Sequence, residues 1–416
     1  MLHSRRILYL SSLSAYESFL MARSIALHGQ MNRPSHLGNA FFCTFSNPLG
    51  EQVGITKWKD RAEMRKETKK VNVTSATIIT NSSHRDGSIY KNSFLDVCHV
   101  KNRAETQLEP MRLSDPANCY PDQKRCRVHF ECDMMQIFSL KLAIVPMSTS
   151  SVQLYGYIAA RDYLDLSLNY IVNRSRDNPL TVRQGSLIEM TGLKRGITMT
   201  SAVLVEYDMR IMKGEQEEDD LQLIDGATDF CEVTTPSCPS TYRINGDCGA
   251  VDITLACVVN AVEATIDVIV SEVQSGFSLS LSSFVFVGGS RHGIELFCDD
   301  VGESCVLTRR YVMAVEMDSW MQLKLKVGQK GSKYDDLERY CRFKAHIHGY
   351  ARRQIQLEHA SIWLKVRFRP ACNSHRQESI QDGNHTGSLV TVKRKRQEQP
   401  QPKNKAKNEA QTTISR

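Results

Sequence analysis

The sequence predicts an all-β fold: an antiparallel sandwich of two sheets, with a partly closed β-barrel as the alternative. Three observations carry this. Apolar and polar residues alternate with a period of two in run after run between residues 125 and 370. Gly, Pro, Ser and Asn punctuate the runs, and a helical period is almost missing over the same span. The alternation itself implies one face in a core and one in water, which is how antiparallel strands are buried.

The runs follow one another along the chain. From Arg125 to Cys132, the residues Cys126, Val128, Phe130 and Cys132 fall on one face and Arg127, His129 and Glu131 on the other. Phe138, Leu140, Leu142 and Ile144 alternate with Ser139, Lys141 and Ala143, and Val152, Leu154, Gly156, Ile158 and Ala160 repeat the pattern. Pro146 and Ser148–Ser151 make the loop between them. The clearest strand puts Val203, Val205, Tyr207, Met209 and Ile211 inward and Leu204, Glu206, Asp208 and Arg210 outward. Ile253, Leu255, Cys257 and Val259 form another, and Val262, Ala264, Ile266, Val268 and Val270 the next. Leu279 and Leu281 start a run whose phase slips at Ser282–Ser283, so a bulge is expected before Phe284 and Phe286. Met321 to Val327, Cys341 to Ile347 and Ile362 to Phe368 complete around ten strands, and Pro370 ends the last.

Outside this span the composition changes. Residues 1–50 hold one acidic residue, Glu17, against Arg5, Arg6, Arg23 and Arg33, and many serines, which fits a leader of the transit-peptide type. Residues 51–111 are polar and charged and read as a linker. Residues 112–370 form the all-β domain, and 371–416 a disordered basic tail. The formal net charge is +7, but 386–416 alone hold eight basic and two acidic residues. The charge excess therefore sits in the tail, and a basic folded surface is not implied. No apolar run approaches the roughly 20 residues of a membrane span. Thirteen cysteines without a repeated spacing read as reduced thiols of an intracellular protein, cytoplasmic or nuclear, with an organelle as the alternative if the leader is a transit peptide.

Several constellations resemble chemistry. The basic turn GLKRG offers Lys194 and Arg195, and the acidic run offers Glu215, Glu217, Glu218, Asp219 and Asp220; together they bracket the clearest strand and form the candidate charged interaction surface. The acidic run lacks the alternate-residue spacing of a calcium loop. Cys119, Cys126, His129 and Cys132 are zinc-like ligand types, but strand parity turns His129 away from Cys126 and Cys132. His346 and His348 share a strand face without the carboxylate that a metal-binding jelly roll supplies, and read as exposed. Tyr155, Tyr157 and Trp363 are the aromatics on outer parity that a carbohydrate platform would use. Lys393, Arg394, Lys395 and Arg396 have the composition of a nuclear import signal or a phosphate binder, the one route to nucleic acid. No cofactor or metal is called for.

The blocks LSDPANCYPDQKRC, MQIFSLKLA, VQLYGYIAARD, LNYIVNRSRDNPLTV, GSLIEMTGLKRGI, VLVEYDMRI, EEDDLQLIDG, VEATIDVIVSEV, GFSLSLSSFVF and ERYCRFKAHIHG occur in order between Leu113 and Arg369. In this order they resemble a plant, mainly grass, domain family of unknown function. The family supplies no established activity, so no functional residue is carried over. Some members look like partners of ribosome-inactivating N-glycosidase domains, which implies a stress or defence setting. That chemistry needs a Glu and an Arg one helical turn apart, and Glu263 has Ile266 at the Arg position, in a strand pattern. The functional expectation is a non-catalytic interaction module with an unidentified protein partner. The alternatives are a component of a ribosome-inactivating system and a ligand- or carbohydrate-binding module.

Overall fold

A single strand of 22 residues, Ala250–Ser271, ties the architecture together. It pairs antiparallel with Cys132–Ile144, Ser240–Asn245, Cys305–Val306, Tyr311–Glu316 and Ser361–Arg369. The parity change between Cys257 and Val262 reads as a break between two strands, yet the chain stays extended through it. Asn260 adopts a left-handed φ of 49°, and the register against Cys132–Ile144 shifts between Val258 and Ala261. One extra residue in a strand makes a bulge, which changes the parity without ending the strand.

The change of parity is a change of core. Val251, Ile253, Leu255 and Cys257 pack with Leu154, Ile158, Val203, Val205 and Tyr207. Val262, Ala264, Ile266, Val268 and Val270 pack with Leu279, Leu281, Val285, Leu323, Leu325 and Leu364. The first core lies under a five-stranded sheet ordered Leu221–Phe230, Val203–Met212, Val152–Asp162 and Asp165–Arg174, with Leu180–Val182 beside Val152–Asp162. The second lies under a four-stranded sheet ordered Ser290–Val301, Phe277–Val287, Trp320–Gln329 and Leu337–Lys344. All-β, antiparallel layering therefore holds, with two sandwich-like halves built on one shared strand and no closed barrel.

This architecture is a computed structural model describing residues 72–108, 129–145, 151–307, 310–329, 337–358, 360–370 and 372–373. The leader 1–50, Cys119, Cys126 and the run Lys393–Arg396 lie outside the described residues. All described residues fall in the first of two units, Met1–Ser374.

Several strands differ from the sequence reading, each for a physical reason. Residues 72–108 belong to the segment read as a linker, yet Ile79, Ile89, Leu95, Cys98 and Val100 pack on Leu204 and Ala227 of the five-stranded sheet. Their apolar residues are held by turns and short 3-10 segments, so no period marks them. This cover explains why Leu204 and Glu206, outward by parity, are both buried. Leu221–Phe230 escapes pattern reading because it is covered on both faces, and Gly349–Gln356 because nearly all of it is exposed.

In Phe277–Val287 the expected phase slip does not occur. Ser283 takes a buried position between Leu281 and Val285, and Phe284 and Phe286 stay on the other face. The bulge is present, but its extra residue, Leu296, belongs to the neighbouring strand. His129 and Phe130 exchange roles as well: His129 is buried and Phe130 exposed. Ile144, inward by parity, is exposed at the end of its strand. Gly156 has φ of 105°, and a Cβ there would meet the Asp208 carbonyl oxygen at 2.1 Å, so this crossing of Val152–Asp162 and Val203–Met212 needs glycine.

Candidate functional site

The two halves of the charged surface read from sequence occupy opposite ends of the five-stranded sheet. Arg195 stands at the Asp162–Asp165 hairpin, near the residue pair Arg161 and Leu204. The acidic run joins Met212 to Leu221, beside Gln153. At about 3.3 Å per residue, Gln153 and Asp162 are separated by roughly 30 Å of strand.

Arg195 is not on the surface. Its side chain is fully buried, and Nη1 and Nη2 donate to Asp162 Oδ2 and Oδ1, each at 2.6 Å. Nη2 also donates to the Asp165 carbonyl, and the Asp162 carboxylate accepts the Thr198 N–H at 2.6 Å. The next N–H, of Gly196, donates to Glu263 Oε2 at 2.8 Å. The basic turn thus fastens the five-stranded sheet to the shared strand. Glu263 is fully buried, and burial pushes its carboxyl up to about 7 against the opposing pull of Gly196 N–H and the Thr265 hydroxyl. Lys194 remains half-exposed and pairs with Glu105 at 2.6 Å.

In the acidic run, Glu215, Glu217, Glu218 and Asp219 are exposed. Glu217 accepts from Arg210 at 2.6 Å. Asp220 is drawn inward, accepting from Arg176 Nε at 2.8 Å and the Tyr155 hydroxyl at 2.7 Å. Burial works against its charge, but those donors and the Lys213 N–H outweigh it and hold the carboxyl near 2. A charged surface at this end therefore rests on four of its five acidic residues.

A cluster that sequence reasoning missed lies under the 72–108 cover. His84 Nδ1 bonds Asp225 Oδ1 at 2.7 Å, and His84 Nε2 lies 3.0 Å from both Glu206 Oε1 and the Tyr157 hydroxyl. Tyr157 donates to Glu206 Oε1 at 2.5 Å, and Arg161 Nε donates to Oε2 at 2.8 Å. Burial disfavours the imidazolium, yet the bonds to Asp225 and Glu206 outweigh it and raise His84 to about 9. The same bonds, with Arg161 and Tyr157, hold Glu206 near 2 against burial. Its groups satisfy one another and clamp the N-terminal segment to the sheet. In sequence Glu206 shares the outward parity of its strand with Asp208 and Arg210, so nothing local marks it, and only its distant partner reveals its role.

The other constellations disperse. His129 Nδ1 and His348 Nε2 approach to 3.2 Å, in a bend rather than on the face predicted for His346 and His348, while His346 is exposed. Among the described residues no group of three or more His, Cys, Asp or Glu side chains is placed to hold a metal ion. Tyr155 is buried, Tyr157 is half-buried in the His84 cluster, and Trp363 lies in a different sheet, so the three do not form one aromatic platform.

A cleft of about 360 Å³ opens between the two halves. It is lined chiefly by consecutive residues: 136–140, 187–190, 294–299 and 311–313. A strand face would contribute every second residue, so consecutive lining means that strand edges, with their main-chain groups, border the space. Pairing bears this out. Cys132–Ile144 meets Ile197–Thr198 at Met134 and Met135 and Leu187–Ile188 at Leu140 and Lys141, which leaves 136–139, among the described residues, with a strand neighbour only on the Ala250–Ser271 side. Ser290–Val301 pairs only with Phe277–Val287 among the described residues. The Gln136 side chain closes one side, accepting the Ala314 N–H at 2.8 Å and donating to the Ile137 carbonyl at 2.7 Å. The charged residues of the lining, Glu189, Glu295 and Asp299, are all acidic.

An all-β domain with an edge-lined cleft between two sandwich-like halves is the class that fold and site define. The chain belongs to the family described as "Domain of unknown function (DUF6598)", which matches residues 134–366. Comparison with curated proteins finds no match. Among solved structures, the two calcium-bound tandem C2 domains of extended synaptotagmin 2 are similar over 58% of this chain and 97% of theirs, at 9% identity and a TM-score of 0.22. Human GIVD cytosolic phospholipase A2, in complex with methyl gamma-linolenyl fluorophosphonate, is similar over 59% of this chain and 33% of its own, at 9% identity and a TM-score of 0.21. At these scores neither likeness transfers a fold or a ligand.

Proposed function

We propose that this domain is a non-catalytic interaction module that engages its partner at the cleft between the two sandwich halves. The observation that carries it is the lining by consecutive strand residues, which offers unpaired main-chain edges and apolar side chains together. The clusters of ionisable groups elsewhere are spent on structure: Arg195 with Asp162, and His84 with Asp225 and Glu206. The resemblance to a grass family supports placing the module in plant stress or defence. The cysteine usage and the Lys393–Arg396 run support an intracellular setting, cytoplasmic or nuclear.

Cys298 is an exposed thiol on the cleft edge, so Cys298→Trp fills the space from a position outside the core. Proteins captured from a source extract by the full-length chain are expected to be lost with this variant, at unchanged circular dichroism and thermal midpoint. Equal capture by both chains removes the cleft from the proposal.

A further inference from the structure

Resting on that reading of the cleft, we propose that its partner is an extended peptide segment carrying Lys or Arg among apolar residues, which adds as a strand to the open edge of Ser290–Val301. Edge strands present rows of N–H and C=O groups, and an added strand satisfies them while alternate side chains enter pockets. Across the cleft from this edge lies a second stretch, residues 136–139, whose side toward the cleft has no strand neighbour among the described residues. The bulge at Leu296 bends this edge, so regular pairing runs over a few residues rather than the whole strand.

The sign of the charge selects the partner. Glu295 and Asp299 lie on the edge strand, Glu189 stands across the cleft, and among the described residues no Lys, Arg or His lines it. Glu189 already accepts from Arg174 at 3.0 Å, which leaves Glu295 and Asp299 as the charges closest to an added strand. An acidic segment would meet like charges on desolvation, whereas a basic one gains from both. Phe138, Ile188 and Phe297 supply the apolar contacts for the alternate side chains. The same acidic residues also discourage self-pairing of this edge.

A random-peptide phage library selected on the full-length chain tests this. The enriched peptides are expected to alternate apolar residues with Lys or Arg. The best of them, made synthetically, should bind about tenfold more weakly when its main chain is N-methylated at alternate residues, because main-chain hydrogen bonds are then lost. A comparable loss is expected with Glu295→Lys and Asp299→Lys together, both exposed positions whose reversal leaves the core intact. Enrichment of acidic or proline-rich peptides, or binding indifferent to N-methylation or to the charge reversals, overturns the strand-addition inference and leaves the module reading standing. If no peptide is enriched while Cys298→Trp still abolishes capture, the partner is a folded surface and this inference fails alone. If no peptide is enriched and capture is unaffected by Cys298→Trp, both readings fall.

Discussion

Arg195 grips Asp162 through both terminal guanidinium nitrogens at 2.6 Å, in a position closed to water. Removing one partner of such a pair leaves an uncompensated buried charge, which costs about 3–5 kcal/mol. Arg195→Ala should therefore lower the urea-unfolding free energy by about that much. Arg195→Lys should recover only part of it, since an ammonium cannot present the planar fork. A cost within ~1 kcal/mol for either variant, the range of an exposed ion pair, would contradict the buried assignment.

His84 clamps the 72–108 segment to the sheet through Asp225 and Glu206. Because its folded value, about 9, exceeds the ordinary 6.5, its stabilising contribution is complete below 6.5 and is lost as pH rises through 9. Glu206 and Asp225, held near 2, contribute above their ordinary 4.5 and 3.8 and lose that contribution as pH falls towards 2. The clamp is therefore strongest between about 4.5 and 6.5. His84→Ala is expected to open residues 79–100 to limited proteolysis at pH 6, and the wild type to open the same sites near pH 10. Identical cleavage of variant and wild type at pH 6 would rule the clamp out.

Glu263 carries the opposite carboxylate behaviour. Its folded value of about 7 lies above the ordinary 4.5, so the fold favours the protonated form. The contribution is complete below 4.5 and is lost as pH rises through 7, amounting to about 3 kcal/mol across that window. Glu263→Gln keeps the size of the side chain and an acceptor for the Gly196 N–H but cannot ionise. Denaturant titrations between pH 5 and 8 should show the wild type losing stability relative to this variant. Parallel curves would show that Glu263 does not titrate there.

Ribosome depurination separates the remaining functional readings. Glu263 sits in the Ala250–Ser271 strand with its side chain sealed from solvent and Ile266 three residues on. An N-glycosidase needs an accessible carboxylate with an arginine nearby on a helix. Purified full-length chain is expected to leave rRNA intact under conditions where a ribosome-inactivating protein depurinates it. Adenine release abolished by a single acidic substitution would falsify the non-catalytic reading.

The period-2 runs by themselves determined the all-β class and most of the core. Val203, Val205, Tyr207, Met209 and Ile211 are all buried on one face, because a half-buried antiparallel strand writes its burial into alternate residues. They also recorded the parity change near Val259, where the shared strand passes from one core to the other. What alternation cannot encode is which face a distant segment later covers. Glu206 reads as outward, and only residues 79–100 folding over it make it a buried acceptor for His84. Arg195 reads as a surface cation for the same reason, because its partner Asp162 is 33 positions away in sequence. The cleft left no local trace either. It exists where four stretches distant in sequence come together and the edges of 136–139 and Ser290–Val301 are not paired with one another, and that is decided by tertiary packing alone.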